Sequence, residues 1–507
     1  MSKPVSMGLS KSLLLKGFQC PKALWLTKRP PEFVLPERPD LEAKFRAGTE
    51  VGILAQQLYP GGVEVPYEGL TVPAQLAKTK ELIEQGADVI YEASFSFSAI
   101  FVKVDLLVRD GDQWQIHEVK MGTSVKDVNL DDVAIQHYVL NGCGLSISKS
   151  FLVHIDNSYV RHGEIDVQQL FCSEEVTTQV KVRLQHIPDG VRELRETLRQ
   201  LNEPDLDIGP HCTDPFECDF IPYCWQHIPP NSVFDLRGRG INTFDLYRRG
   251  VVTFDEIPLD ELNAKQRQQV EATLHQQDTI HAEGVQAFLD TLWYPLYHLD
   301  FETFSTPIPK FDGTRPYQQV SFQYSIHAQQ STGAEAQHFD YLAPPNIDPR
   351  RELVEQLLAV IPAEACILTY NQSFEKGVLR ELANLFPDLA DALHQRIDNI
   401  RDLMEPFRKR DLYRWQMQGS YSIKEVLPAM VPELNYQELT IADGSAAMQA
   451  YHTMCAMEPS EELDQLRRDL LRYCEMDTWA MVKVLEALIE VSVPHGDTEA
   501  RRSSKPD

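Results

Sequence analysis

Hydrophobic and polar positions in the first part of the chain alternate between strand-like and helix-like patterns. The run VIYEASFSF (89–97) predicts a strand, VDLLVRDGDQWQIHEVK (104–120) predicts a β-hairpin, and DDVAIQHYVLNG (131–142) predicts a helix. Strands that alternate with helical patterns are typical of an α/β domain. We therefore expect such a domain in the N-terminal part of the chain.

A second α/β pattern begins at LYHLDFETF (296–304), and the strand-like runs VSFQYSIHA (320–328) and ACILTY (365–370) follow it. Short polar helical patterns fill the stretch between the two patterns, and the C-terminal tail has the composition of a disordered segment. The predicted organisation is a first α/β domain (1–230), a helical connector (231–290), a second α/β domain (291–490) and a disordered tail (491–507).

Length and composition are those of a globular protein with more than one domain. The chain has 507 residues, of which 43% are hydrophobic and 24% are charged. Its longest apolar runs fall short of the ~20 residues of a membrane span, and the N-terminus lacks a signal-peptide pattern, so we expect a cytoplasmic protein without membrane contact. The formal net charge of −27 argues against a protein that coats polyanions, but local basic patches leave nucleic acid open as a partner.

The predicted hairpin gathers acid and base on one face. A two-residue turn at 111–112 places Asp105 directly opposite Glu118, and Lys120 shares their face because side chains alternate along a strand. Carboxylates suit Mg²⁺ or Mn²⁺, and a neighbouring lysine can position water or stabilise charge at phosphorus. The alternative is a solvent-facing hairpin with a surface salt bridge.

The succession of Asp105, the Glu-Val-Lys triplet that ends at Lys120, and Gln136 on the following helix resembles the PD-(D/E)XK nuclease core of the RecB-like branch. The resemblance implies a restriction-endonuclease-like fold. It also implies that Asp105 and Glu118 are metal ligands, that Lys120 is the catalytic lysine and that Gln136 is the helix residue of the last motif.

Two positions depart from that family's pattern. The tyrosine expected four residues after the motif glutamine is replaced by Leu140, and the nearest tyrosine is Tyr138. Gly52 stands where many relatives have a metal-binding histidine, and Glu50 or Glu92 is a possible substitute ligand.

Four cysteines bracket this domain. Cys212, Cys218 and Cys224 are each separated by five residues, and Cys20 lies far upstream. Four thiolates complete either an iron–sulfur or a zinc site, although zinc proteins more often show two tight pairs. One cysteine plus three around a nuclease core resembles the iron–sulfur clasp of AddB-type and CRISPR-adaptation nucleases. The resemblance implies a [4Fe-4S] cluster that staples the domain, with Zn²⁺ as the alternative.

The second domain contains acidic residues at ordered positions. Asp300 and Glu302 share one face of a predicted strand, Glu375 opens a predicted helix, and Tyr473 and Asp477 share a helical face at i, i+4. Carboxylates from separate elements can hold two metal ions about 4 Å apart, which together activate water. Each piece alone also fits a solvated helix or a strand end, but their order and spacing favour a functional site.

This order resembles the tyrosine subtype of the DnaQ-like DEDD exonucleases, which have a ribonuclease H-like fold and work 3′ to 5′ with two metals. The family usually has Asp at the position of Glu375, so Asp402 is a reserve candidate. The segment GSYSIKEVLPAM (419–430) resembles the loop and helix near the substrate strand. Carried over, the ligands of Mg²⁺ or Mn²⁺ are Asp300, Glu302, Glu375 and Asp477, and Tyr473 orients the attacking water.

Together the two halves resemble a bacterial family that fuses a RecB-like nuclease to a DnaQ-like exonuclease. The expected function is metal-dependent degradation of DNA from single-stranded ends, in repair, recombination or defence, with basic residues such as 408–410 guiding the phosphate backbone. An RNA exonuclease is one alternative. The other is a cluster-stapled nucleic-acid-binding protein in which one or both sites are silent.

Overall fold

The computed structural model describes residues 8–32 and 39–492, and the chain divides into two compact units. Each unit combines a β-sheet with helices, so the predicted α/β class is confirmed. The units comprise residues 1–227 with 306–318, and residues 228–305 with 319–507.

The units differ from the predicted domains in three respects. Residues 231–290, expected to form a connector, belong to the second unit. The segment 306–318 belongs to the first unit, although it was predicted within the second domain. The last helix extends to Ser492, two residues into the predicted tail, and the remaining residues 493–507 lie outside the described part of the chain.

The elements of the first unit follow the predicted patterns closely. Its strands are β1 (Leu9–Ser10), β2 (Val63–Glu64), β3 (Val89–Phe97), β4 (Ile100–Asp110), β5 (Gln113–Lys120), β6 (Ile147–Ile155) and β7 (Phe171–Glu175). Its helices are α1 (Lys11–Gln19), α2 (Pro21–Lys28), α3 (Pro39–Ala55), α4 (Val72–Glu84), α5 (Asp127–Gly142), α6 (Val167–Leu170), α7 (Thr177–Leu184), α8 (Ile187–Arg199) and α9 (Ile221–Cys224).

A seven-stranded sheet organises the first unit in the order β2-β3-β4-β5-β6-β7, with β1 beside the start of β4. Strands β3, β4 and β5 are antiparallel, and the predicted turn at 111–112 between β4 and β5 is confirmed. The chain then crosses over through α5 to β6, which is parallel to β5. Helix α5 packs against β3, β4 and β6, and its apolar residues enter the main core of the unit.

The second unit contains a smaller sheet flanked by helices. Its strands are β8 (Thr279–Ile280), β9 (Leu296–Phe304), β10 (Val320–Gln329), β11 (Gln337–Leu342), β12 (Cys366–Thr369), β13 (Ile400–Asp402) and β14 (Leu412–Tyr413). Its helices are α10 (Thr243–Arg248), α11 (Ala264–His275), α12 (Ala282–Leu289), α13 (Arg350–Val360), α14 (Gln372–Leu385), α15 (Ala390–Asp398), α16 (Glu405–Lys409), α17 (Ile423–Met430), α18 (Gly444–Ala456) and α19 (Glu461–Ser492).

The five main strands of the second unit lie in the order β11-β10-β9-β12-β13. Strands β9, β10 and β11 form an antiparallel meander, and β12 and β13 run parallel to β9. Every residue of β10 is buried, and helices α13 and α19 pack against this strand. Helix α19 packs on β9, β10 and β11, which brings its polar residues to the central strand.

None of the described helices combines the length and the apolar character that crossing a membrane requires.

Candidate functional site

Three carboxylates meet at the centre of the second unit. Asp300 and Glu302 project from the same face of β9, because they are two residues apart on a strand. Asp477 approaches from α19, which packs on β9. One carboxylate oxygen from each of the three lies within 4.8 Å of the other two. Like charges at this distance in a buried place require protons or a cation.

Burial raises the pKa of all three carboxyl groups, and repulsion adds to the effect at Asp300 and Glu302. Burial, reinforced by the charge of Asp477, raises the pKa of Glu302 to about 8. Burial raises the pKa of Asp477 to about 6. The pKa of Asp300 lies well above its ordinary value, because burial and then the charges of Asp477 and Glu302 act in the same direction. These groups can exchange protons for a metal ion at neutral pH.

Two buried tyrosines contact Asp477. Tyr473 is buried one turn earlier on α19, as predicted, and its hydroxyl partly offsets the effect of burial on the pKa of Asp477. Tyr436, which the sequence analysis did not identify, donates its hydroxyl to Oδ1 of Asp477 at 2.8 Å. Nζ of Lys424 lies 5.7 Å from the ring centroid of Tyr436 and 5.8 Å from that of Tyr473. The group therefore includes hydroxyls and an ammonium as well as acids.

Glu375 approaches the same group from the first turn of α14. Its side chain is buried, and its Oε2 has no hydrogen-bond partner among the described residues. Its charge contributes to the raised pKa of Asp300, and burial raises its own pKa to about 8. An unpartnered buried carboxylate oxygen is costly unless a cation or a proton satisfies it. Glu375 is therefore suited to be a fourth ligand.

Asp402, the reserve candidate, uses one carboxylate oxygen to hold the backbone before α14. Its Oδ1 accepts the backbone N–H groups of Asn371 at 3.0 Å and Met404 at 3.1 Å. Its Oδ2, like Oε2 of Glu375, is buried without a hydrogen-bond partner among the described residues and lies 3.6 Å from Nη1 of Arg408. Asn371 precedes α14 in the left-handed conformation, with φ of 81°, which asparagine tolerates better than most residues. Asp402 thus fixes the turn that positions Glu375.

A cavity of about 650 Å³ lies in the second unit. Asn371, in the turn that precedes α14 and Glu375, is one of its lining residues. Four cationic residues line it, together with residues 419–423 at the start of the predicted substrate-strand segment. Of the predicted basic run 408–410, Arg410 lines the cavity, whereas Lys409 pairs with Glu405. The cationic lining residues are Arg237, Arg239, Lys265 and Arg410.

In the first unit the predicted hairpin residues lie together. The ladder between β4 and β5 runs to the pair Leu106–His117, so Asp105 and Glu118 occupy the next position in register. Oδ2 of Asp105 accepts the backbone N–H of Val119 at 2.7 Å. Nζ of Lys120 donates to Oε1 of Glu118 at 2.6 Å.

Gln136 and an unpredicted acid complete this face from α5. Nε2 of Gln136 donates to Oε2 of Glu118 at 2.6 Å and to Oδ1 of Asp132 at 3.1 Å. Oδ2 of Asp132 contacts Nζ of Lys120 at 2.6 Å. Asp132 lies four residues before Gln136, so the shared helical face was the signal that would have identified it.

Lys11 is the second residue of this group that the sequence analysis missed. Strand β1 runs parallel to the start of β4, and α1 begins directly after it. Nζ of Lys11 therefore reaches Oε1 of Glu118 at 2.7 Å and Oδ1 of Asp132 at 2.9 Å. No local pattern around Lys11 indicates this contact, because it depends on the pairing of distant strands.

In the first-unit group, burial and neighbouring charges together shift the pKa values of the acidic and basic side chains. Burial, then the charges of Asp105 and Asp132, raises the pKa of Glu118 to about 7. Burial alone would lower the pKa of Lys11, but the neighbouring carboxylates outweigh burial and raise it. Burial alone would raise the pKa of Asp132, but Lys11 and Lys120 outweigh burial and lower it. Glu118 therefore has a pKa close to neutral pH, and the pKa of Asp105 is also raised, chiefly by burial.

Glu92 is the better placed of the two substitute ligands. It lies opposite Asp105 in register, between the pairs Tyr91–Leu106 and Ala93–Val104. Burial is the largest cause of the raised pKa of Asp105, and the charge of Glu92 raises this pKa further. Its φ of 56° is left-handed, a strained conformation that clusters at functional sites.

The remaining departures from the family pattern lie outside the group. Glu50 is exposed on α3, and a Cβ added to Gly52 would meet nothing within 4 Å, so the position of the absent histidine is open space. Tyr138 does not join the site, because its ring packs edge-on against Phe97 with centroids 5.6 Å apart.

Four cysteines line one small cavity in the first unit, namely Cys20, Cys212, Cys218 and Cys224. Cys20 caps α2, and its Sγ accepts the backbone N–H of Ala23 at 3.3 Å. All nine cysteines lie in the described ranges and are free thiols. Burial raises the pKa of the Cys20 thiol, and the backbone N–H groups of Ala23 and Lys22 only partly oppose that shift.

Four thiols around one small cavity match the ligand number of either an iron–sulfur cluster or a zinc ion. The geometry leaves both occupants open.

Comparisons with known proteins connect this chain to proteins of unassigned function. A family model described as "Domain of unknown function (DUF2779)" matches residues 297–422, which include Asp300, Glu302 and Glu375. The Uncharacterized protein MG366 homolog of Mycoplasma pneumoniae is 28% identical over 213 residues, covering 37% of this chain and 31% of that protein. The Uncharacterized protein UU173 of Ureaplasma parvum is 28% identical over 215 residues, which cover 37% of this chain and 30% of that protein.

The chain thus spans less than a third of the length of these curated relatives. Among solved structures, one described as "Crystal structure of SSO0001" is 14% identical and covers 44% of this chain and 88% of its own, with a TM-score of 0.19.

Proposed function

We propose that this chain is a metal-dependent nuclease that hydrolyses phosphodiester bonds of DNA from single-stranded ends. The observation that carries the proposal is the buried group of Asp300, Glu302 and Asp477, whose ligand oxygens lie within 4.8 Å of one another. Such a group is unfavourable without a cation and suits Mg²⁺ or Mn²⁺, which prefer oxygen ligands.

The order of strands supports a ribonuclease H-like fold for the second unit. Three antiparallel strands, β9 to β11, are followed by β12 and β13, which lie parallel to β9 on its other side. In the first unit, an antiparallel hairpin followed by a helical crossover to a parallel strand supports a restriction-endonuclease-like fold. In the first unit the acidic residues lie on β4, β5 and α5, and in the second unit they lie on β9, α14 and α19.

In the second unit, metal ions would be held by Asp300, Glu302, Glu375 and Asp477, and would supply an activated water and charge stabilisation of the leaving oxygen. The protein's own residues prepare that site. Tyr436 holds the Asp477 carboxylate through a hydrogen bond, and Tyr473 lies one turn before Asp477 on α19. We assign Tyr473 the further role of orienting the attacking water, and the 3′ to 5′ direction rests on the family resemblance.

In the first unit, Asp105 and Glu118 are the proposed metal ligands, and Gln136 orients Glu118 through its hydrogen bond to Oε2. Lys120 and Lys11 both donate to Oε1 of Glu118, so two ammonium groups lie where a phosphate oxygen would gain negative charge. Lys120 is the proposed catalytic lysine, and Lys11 is a second cation for the same purpose.

The basic cavity of the second unit supports a path for a nucleic-acid strand. The chain carries a net charge of −27, yet four cationic side chains line this cavity next to the turn that positions Glu375. Cationic grooves of this kind neutralise backbone phosphates without reading the bases. The cysteine-lined cavity is proposed to hold a [4Fe-4S] cluster as a structural staple, with Zn²⁺ as the alternative.

The test is degradation of matched DNA and RNA strands of one sequence, labelled at either end, with Mg²⁺ or Mn²⁺ and with chelator. The proposal expects metal-dependent shortening of DNA, with loss of activity in chelator. Faster shortening of RNA would favour the RNA exonuclease. Binding of the strands without any cleavage would favour the cluster-stapled binding protein.

A further inference from the structure

A second group of metal-binding side chains lies in the same unit as the carboxylates. We propose that His327, His338 and Glu475 bind a first-row transition metal ion such as Zn²⁺, separately from the group around Asp300. One ring nitrogen of each histidine and one carboxylate oxygen lie within 4.8 Å of one another. The two rings face each other from directly paired positions of β10 and β11, with centroids 4.7 Å apart. Nδ1 of His338 is 3.9 Å from Oε1 of Glu475.

Hydroxyl groups fix the orientation of both rings. Nδ1 of His327 is 2.8 Å from Oγ1 of Thr478, and Nε2 of His338 is 3.0 Å from Oγ of Ser325. The two hydroxyls are themselves 2.7 Å apart, and Thr478 donates to the backbone carbonyl of Glu475 at 3.1 Å. Metal-binding histidines usually have their outer nitrogen fixed in this way, while the other nitrogen binds the ion. The hydroxyls leave one nitrogen of each ring for a metal.

The chemistry of the three ligand side chains indicates which class of metal ion they bind. Two imidazoles and one carboxylate suit Zn²⁺ and its neighbours in the first transition row better than Mg²⁺, which prefers oxygen ligands. Burial, followed by the neighbouring imidazoles of His338 and His298, lowers the pKa of His327 to about 3.

The group opens onto a cavity of about 570 Å³, so an ion can enter from solvent. Three protein ligands leave coordination positions vacant for water or for another side chain. The cavity lining offers carboxylates for this purpose and also carries a cation and an aromatic ring. These further lining residues are Glu433, Glu438, Arg472 and Trp479.

A metal ion at this place would join α19 to the sheet. Glu475 belongs to α19 and lies two residues before Asp477, whereas the histidines belong to β10 and β11. The ion would therefore restrain the helix that delivers Asp477 to the carboxylate group. Glu475 and the two histidines are in this sense positioning residues rather than catalytic ones.

The experiment measures Zn²⁺ binding by the full-length protein without nucleic acid, in excess Mg²⁺ so that all-oxygen sites are filled. The variants are His338→Ala and Glu475→Gln, both at incompletely buried positions. The matched controls are His394→Ala and Glu490→Gln, whose side chains are exposed. Circular dichroism confirms the fold of each variant before titration.

We expect the wild type and both controls to bind one more equivalent of Zn²⁺ than the two variants, or to bind it at least about 10-fold more tightly. Zn²⁺ should also raise the Tm of the wild type, by about 5 °C at saturation, but not that of folded variants. Equal stoichiometry and affinity in all five proteins would overturn the proposal. The result does not depend on nuclease activity, so it is independent of the proposed function.

Discussion

Asp300 on β9 and Asp477 on α19 bring carboxylate oxygens within 4.8 Å of each other inside the second unit. After burial, the charge of Asp477 is the largest cause of the raised pKa of Asp300. Without a cation the repulsion between these two carboxylates destabilises the folded state. A divalent ion bound by both carboxylates would neutralise their charge and remove this repulsion. Stability and activity of the second unit should therefore both depend on metal.

Stability of the metal-free protein should fall as the pH rises. Glu302 and Glu375 have folded-state pKa values raised to about 8, and that of Asp477 is raised to about 6. The folded state thus binds more protons than the unfolded state, so these groups destabilise it progressively from about pH 4 to about pH 8. In chelator the free energy of unfolding should decrease by a few kcal/mol, to order of magnitude, over this range.

Urea unfolding at several pH values, with chelator and with Mg²⁺, measures this effect. Glu302→Gln removes one titrating group and should make the dependence on pH shallower. Mg²⁺ should do the same in the wild type, because the ion binds the deprotonated carboxylates. An identical pH dependence in the wild type and in Glu302→Gln would contradict the assignment.

Glu375, rather than Asp402, is expected to be the fourth ligand. Glu375→Gln should lower the rate of strand degradation by the second unit at least about 100-fold, because it removes a charge that faces the metal. Asp402→Asn should stay within about 5-fold of the wild type, since an amide oxygen can still accept the N–H groups of Asn371 and Met404. Single-turnover rates in a Lys120→Ala background isolate the second unit. A reversed order of the two variants would show that Asp402 is the ligand.

Lys11 and Lys120 should matter for both folding and activity of the first unit. Each contacts Glu118 and Asp132, which are nearly completely buried, so removing either ammonium leaves carboxylate charge poorly compensated. Because the lysines are about a quarter exposed, we expect each alanine variant to lose about 1–3 kcal/mol of stability. Lys149→Ala, on an exposed ion pair with Glu175, serves as the control and should cost less than about 1 kcal/mol.

Urea unfolding measures the loss of stability, and strand degradation in an Asp477→Asn background measures first-unit activity. We expect activity to fall in both Lys11→Ala and Lys120→Ala. Full activity in Lys11→Ala would limit Lys11 to a structural role.

The cysteine-lined cavity should hold iron. Protein purified without oxygen is expected to contain about four iron atoms per chain and to absorb visible light near 400 nm. Cys218→Ser should lose the absorbance and lower the Tm, because one of four cluster ligands is missing. Cys143→Ser, which changes an exposed cysteine outside the cavity, should retain both. About one zinc and no iron per chain would instead identify the alternative metal.

Local patterns predicted much of the fold. The strand runs 89–97 and 296–304 coincide with β3 and β9, and the turn at 111–112 sets the register of β4 and β5 as expected. These features depend on neighbouring residues only, namely on side-chain alternation and turn chemistry.

The parts of the candidate sites that were missed depend on contacts between distant segments. Lys11 reaches Glu118 only because β1 pairs with β4, and Tyr436 reaches Asp477 from a loop without any recognisable motif. The segment 306–318 belongs to the first unit through hydrogen bonds such as those of Arg161 to backbone carbonyls, which no pattern along the chain encodes. Asp132 was the exception, since its i, i+4 spacing to Gln136 was visible in the sequence.

The most direct test of the central claim is degradation of end-labelled single-stranded DNA with Mg²⁺ or Mn²⁺ by the wild type, Asp477→Asn, Lys120→Ala and the double variant. Asp469→Asn, another acid of α19 that lies outside the carboxylate group, is the matched control. If both sites are active, each single variant should lose a distinct part of the product pattern. The double variant should then show no degradation. Unchanged degradation by the double variant would contradict the assignment of both sites.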